Sequence, residues 1–347
     1  MRKALGAGAI LGACLLLVAP RASFGQAPER TAVVTTPHFA LYSDFDTNLN
    51  DALIAAGLAR KDGKPELFHA GAETACFNEL PESARAGWDG AVDYYAKIIS
   101  PAEWTDRQQY LLRVQLAGFD EEWKDAAARQ FVEIARSFRG AAAPAYTACR
   151  WPAQDEKNRR SIEDLKSRLA ADEQKVAPRL EQLYQKRWEA LPIPVDIVET
   201  VNWSGATSIL RVPAGGHLLI STSYQGPVAL EVVFHEACHL LMGRTAPVRQ
   251  ALDKAAGAAG FTMPGDLWHV VLFYTTGEAV RRILEDGGTK GYTPMVYEIF
   301  DRGAWPGCRE ALESAWRPYL GGERTLPEAA AGLIEALKRR GERGGGV

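Results

Sequence analysis

The chain has 347 residues, 47% of them hydrophobic, 24% charged and 9% aromatic, with a formal net charge of −3. That balance excludes a collagen-like, low-complexity or wholly disordered protein. Lys+Arg 40 against Asp+Glu 43 leaves no basic excess for a phosphate backbone, so no nucleic-acid partner is expected. At about 150 residues per domain the length allows two domains or one large one.

Residues 1–25 read as a secretory signal peptide. Arg2 and Lys3 precede an uncharged apolar run, Ala4 to Ala19, which Pro20 breaks. Ser23 and Gly25 then place small residues where signal peptidase reads, predicting cleavage after Gly25 and export to the periplasm or beyond. The run is shorter than the ~20 residues of a membrane span, and no later run approaches that length. The mature chain is expected to have no membrane span. Four cysteines follow the cleavage point, an even number in an oxidising compartment. Cys76 and Cys149 lie in loop-like segments of the N-terminal half and are the expected disulfide. Cys238 sits in an apolar stretch and reads as a buried free thiol.

Residues 26–190 form a mainly helical region. His38 to Ser43 alternates enough for a short strand. From Thr47 to about residue 140 the apolar spacing is helical, as in Trp123, Ala127, Phe131, Ile134 and Phe138. Residues 154–190 are strongly charged with Leu165, Leu169, Leu180 and Leu183 on one stripe, a solvated helical face packed on the rest of the chain. Pro178 predicts two helices there or one kinked helix.

The pattern changes at residue 191. Pro194–Val201, Ser208–Val212 and His217–Ser223 read as strands, and Gln225-Gly226-Pro227 ends the last of them, with Pro227 suited to the first turn of a helix. Residues 191–340 therefore form an α+β region with a small sheet ahead of a helix. The whole fold is α+β and mostly helical, and residues 341–347 form a flexible tail.

The helix after Pro227 carries His235-Glu236-Ala237-Cys238-His239, a His-Glu-x-x-His pattern. Four residues of α-helix turn through about 400°, bringing His235 and His239 to one face, where both can reach one zinc ion. Glu236 projects at a neighbouring angle, suited to take a proton from a zinc-activated water and pass it to a leaving amine. Histidine is scarce, six in the chain, so a chance match is on the order of one in a hundred. Three polar groups on an otherwise apolar helix are costly to bury unless a cation pairs them.

On this motif the chain resembles the zincin metallopeptidases, in particular their gluzincin (peptidase MA-like) branch, over roughly residues 192–300. The resemblance implies an exported zinc-dependent peptidase acting on a peptide or protein, with Zn2+ on His235 and His239 and Glu236 as general base. It also implies that the strand before the motif helix, His217–Ser223, lies at the sheet edge. The histidine that metzincins place six residues after the second ligand is absent. Gluzincins instead supply a glutamate from a later helix, which points to Glu278 in the segment Asp266–Val280, with His269 as the alternative third ligand and His217 as a further one. Where many gluzincins have an acid four residues after that glutamate, this chain has Arg282, leaving Glu231 or Glu285 to orient a zinc-bound histidine. Oxyanion donors are sought among Tyr274, Tyr292, Tyr297 and His269. The competing reading is a catalytically inactive zincin-like binding protein.

Overall fold

A five-stranded mixed sheet separates two layers of helix, each with its own apolar core. The computed structural model describes residues 30–69, 71–99, 107–118, 125–201, 205–211 and 215–342. The signal-peptide reading of residues 1–25 and most of the tail, 343–347, lie outside them. The fold is α+β and mostly helical, as expected.

Two short strands, β1 (Val34–Thr35) and β2 (Phe39–Tyr42), open the described chain. Helices α1 (Phe45–Lys61), α2 (Glu73–Glu79), α3 (Glu82–Ile98), α4 (Arg107–Leu116), α5 (Ala126–Cys149) and α6 (Trp151–Tyr184) follow. The chain then returns to the sheet with β3 (Ile193–Val198), β4 (Ala206–Arg211) and β5 (Gly215–Ser221). The strand order is β1-β2-β3-β5-β4. The pairs β2/β3 and β3/β5 are parallel, whereas β1 and β4 run antiparallel to their neighbours. So β5, expected at the edge, is flanked on both sides, and the edge strand is β4. The reason is that β4 and β5 form a hairpin whose second arm finds β3 free.

Alternation along the strands distributes side chains to the two layers. Val195, Leu218 and Ile220 join the core of α6 and the C-terminal helices, while Val198, Ile209 and Leu219 join the core of α1, α3 and α5. The second layer is tightly built: a Cβ on Gly87 of α3 would lie 2.3 Å from the Ala141 carbonyl oxygen of α5. Glycine there lets the two helices approach.

From Thr31 onward the chain forms one compact unit. A boundary at 190/191 does not divide it, because β2 pairs with β3 and α6 packs on the C-terminal helices. Helix α6 also runs unbroken through Pro178 over 34 residues. Proline removes one backbone donor, but Val176, Ala177, Leu180 and Leu183 around it are buried and hold the helix in place.

The C-terminal layer comprises α7 (Pro227–Cys238), a 3-10 turn (His239–Leu241), α8 (Pro247–Ala259), α9 (Leu267–Asp286), α10 (Met295–Asp301), α11 (Cys308–Ala311), a π turn (Leu312–Trp316), α12 (Arg317–Leu320) and α13 (Leu326–Glu342). Helix α13 reaches two residues into the segment expected to be tail. Among the described residues no helix is long and apolar enough to cross a membrane.

A disulfide joins Cys76 of α2 to Cys149 at the end of α5 across a sequence separation of 73, and Cys238 and Cys308 are buried free thiols. A covalent loop of that length restricts the unfolded chain. Replacing both bridged cysteines by alanine is expected to cost about 4 kcal/mol, measured by urea unfolding of the oxidised wild type against the double variant.

Candidate metal centre

Helix α7 begins where Gly226 adopts φ 71° and ψ −156°, a conformation closed to residues with a side chain. The Gly226 N–H donates to Asp164 Oδ2 of α6 at 3.0 Å, and Pro227 fills the first turn. The helix is buried along most of its length and packs on both α6 and α9. It ends one residue before His239, which opens the 3-10 turn, and Lys186 Nζ caps that turn by donating to the Leu240 carbonyl at 2.8 Å.

His235, His239 and His269 meet at this junction. Their ring centroids are 5.2, 5.4 and 5.1 Å apart, and one potential ligand atom from each lies within 4.8 Å of the others. Burial drives all three imidazoles towards the neutral form, which is the form that ligates. It pushes His235 well below its ordinary value, with His239 and His269 adding to the effect. His239 falls to about 3 through burial and then His269. His269 falls to about 4 through burial, opposed by Asp266. Two ring nitrogens, His235 Nδ1 and His269 Nε2, are buried with no hydrogen-bond partner. Orphaned basic nitrogens in a converging group are what a bound cation satisfies.

Glu236 sits at the edge of this group, its Oε2 3.9 Å from His239 Nε2. Burial raises its carboxyl to about 8 against the opposing hydrogen bond from Ser208 of β4.

Glu278, the expected third ligand, is elsewhere. It lies nine residues beyond His269 on α9, a half-turn out of phase, and faces away from the motif. Its carboxylate accepts from Arg281 Nε and Nη2 at 3.1 and 2.8 Å and from the Tyr297 hydroxyl at 3.0 Å. Burial alone would raise its pKa, but Arg281 and Tyr297 outweigh burial and hold it below the usual value. The structure brings His269, the alternative third residue, to the histidine pair, and Glu278 is not part of that grouping.

His217 is also apart. It is 1% exposed, on the sheet face towards α1, with Nε2 2.6 Å from Asp196 Oδ2. The tyrosines expected as oxyanion donors are engaged as well. Tyr292 donates to Glu231, Tyr297 to Glu278, and the Tyr274 hydroxyl accepts from Arg317 Nε at 3.1 Å. Glu231 further accepts from the Met295 N–H at 3.1 Å, Glu285 pairs with Arg281, and Arg282 donates to the Leu320 carbonyl at 2.6 Å. Each therefore braces helices rather than orienting a histidine.

The phenol beside Glu236 is Tyr224, raised first by burial and next by the charge of Glu236. Neither it nor Ser208 belongs to a spaced sequence pattern, although Tyr224 lies only three residues before Pro227.

A second grouping, Glu66, His69 and Asp89, also brings donor atoms together. Arg60 already bridges it, with Nη2 2.9 Å from both Glu66 Oε1 and Asp89 Oδ1.

No family model, curated protein or solved structure matches this chain. The resemblance to zincins rests on the His235–His239 motif alone.

Glu231 offers a test of burial in this layer. Burial raises its pKa from 4.5 to about 7, against hydrogen bonds from Tyr292 and Met295. Because the folded value lies above the ordinary one, the stability it contributes is present below pH 4.5 and disappears as pH climbs through 7. Relative to Glu231→Gln, the wild type should lose on the order of 3 kcal/mol over that interval, read from unfolding curves at a series of pH values.

Proposed function

We propose that the protein is an exported zinc-dependent hydrolase of peptide bonds, with His235, His239 and His269 as metal ligands and Glu236 as general base. The observation that carries the reading is the convergence of three imidazoles, His235 buried and His239 and His269 half-buried, from α7, the turn that follows it and α9, with one carboxylate beside them. The donor set fits zinc, which accepts three histidines and keeps an open position in catalytic sites.

A divalent ion held there supplies Lewis acidity and lowers the pKa of a coordinated water towards ~7. Glu236, beside His239, would accept a proton from the attacking water and return it to the leaving amine. Water thereby adds across the broken C–N bond and the carboxylate is regenerated. The high pKa of Glu236 in its buried position is what a nearby cation offsets, favouring the ionised base. Ser208, through its hydrogen bond, restrains the carboxylate, and β4 supplies one wall of the site.

The ligand set and the base are tested separately. His269→Ala should weaken zinc binding by more than about 100-fold, beyond what an outer-shell change costs, whereas Glu278→Gln should leave affinity within a few-fold. Competition with a chromophoric chelator measures both, and the reverse ranking would reinstate the glutamate. Glu236→Gln should keep one zinc per chain and lose about 10²–10⁴ in peptide hydrolysis. If wild type and Glu236→Gln both hold zinc and neither cleaves a diverse peptide pool, the protein is a non-catalytic binder.

A further inference from the structure

The three histidines lie against a run of aromatic rings that the hydrolytic steps leave unused. The Phe273 ring centroid is 3.8 Å from that of His235 and 4.8 Å from that of His269. Trp305 continues outward, 5.8 Å from Phe273 and 6.3 Å from His269, with Phe300 6.4 Å beyond. Trp268 stands by His239 and His269 at 5.7 and 5.1 Å, its ring covered by the Arg249 guanidinium at 4.7 Å. Phe273 and Trp305 are only half-buried, so part of each ring faces solvent next to the metal ligands.

Trp305 is held in an unusual way. Its φ is 51°, a left-handed backbone that a bulky residue adopts only at a cost, and such strain concentrates where a side chain must be aimed. The indole N–H donates to Asp266 Oδ2 at 2.6 Å, at the start of the helix that carries His269. Main chain and hydrogen bond together fix the ring beside the centre while leaving it partly uncovered.

We infer that Trp305 and Phe273 form a side-chain subsite next to the three-histidine centre, taking a large apolar, preferably aromatic, side chain of the substrate. This rests on the metal reading above. Aromatic groups meet such rings edge-to-face or offset and gain from both area and quadrupole. A sugar needs polar partners around the stacking face, and the nearby Asp266 already accepts the indole N–H. A cationic side chain would prefer an exposed ring, whereas Phe273 and Trp305 are half-buried.

The test uses small metal-binding probes rather than turnover. Acetohydroxamate and benzohydroxamate share one chelating group and differ by a phenyl ring. Calorimetric titration of zinc-loaded protein should show benzohydroxamate binding about tenfold tighter. In Trp305→Ala that gap should fall below about twofold with acetohydroxamate affinity unchanged, and Trp305→Phe should keep most of it. Phe273→Leu should also narrow the gap, as a second route if Trp305→Ala folds poorly. Equal affinities for the two probes in wild type, a full gap surviving in Trp305→Ala, or tighter binding of 6-aminohexanohydroxamate than of benzohydroxamate would overturn the subsite while leaving the metal centre standing. Failure to load zinc, with neither probe binding, would overturn the metal reading and the subsite together.

Discussion

Three imidazoles, one buried and two half-buried, packed against aromatic rings constrain everything around them. Each is neutral because burial penalises its charge, and two ring nitrogens are left without a partner. An unsatisfied buried nitrogen costs on the order of 1–3 kcal/mol, and a cation shared among the three rings removes that cost. The juxtaposition requires α7 and α9 to cross at one place, with His235 and His239 on one helix end and His269 near the start of the other.

The surrounding contacts all serve that crossing. Helix α9 is anchored at mid-length by two buried threonines, Thr275 accepting from the Trp316 indole at 2.9 Å and Thr276 meeting the Tyr184 hydroxyl at 2.9 Å. Tyr184 also donates to the Leu272 carbonyl at 3.2 Å. Asp164 holds the turn into α7 and Lys186 the turn out of it. Two further carboxylates tie these helices to the following segment: Glu231 of α7 accepts from Tyr292 and the Met295 N–H, and Glu278 of α9 accepts from Tyr297. Glu278 thus acts through arginine and tyrosine to brace the helix whose other end presents His269.

Much of this was legible in the residues themselves. The strands, the helix after Pro227 and the histidine pair follow from alternation, proline position and helical spacing, which are local. Which residue of α9 joins the histidine pair was ambiguous because Glu278 and His269 share one apolar helix. Only packing reveals that the face carrying residue 269 turns towards α7 while Arg281, three residues after Glu278, claims its carboxylate. The place of β5 inside the sheet was hidden for a similar reason, since pairing with β3 is non-local. Pro178 misleads because a proline's local penalty is smaller than the burial of the helix around it. Trp305 carries no spacing signal, and its role depends on a backbone angle that no side-chain pattern encodes.

Helix α6 runs the full depth of the molecule. Near its start Asn158 donates to Ser43 and Asn48 at 3.1 and 3.2 Å, and at its end Tyr184 touches α9 beneath the histidines. The strand β3 that follows it is sandwiched between β2 from the amino-terminal side and β5. A polypeptide started at residue 191 would therefore lack the floor under its own motif helix and leave β3 as an edge strand paired only with β5. The two sequence halves are co-dependent: neither is a portable module, and a fragment that keeps the histidines has to carry α6 and β2 along with them.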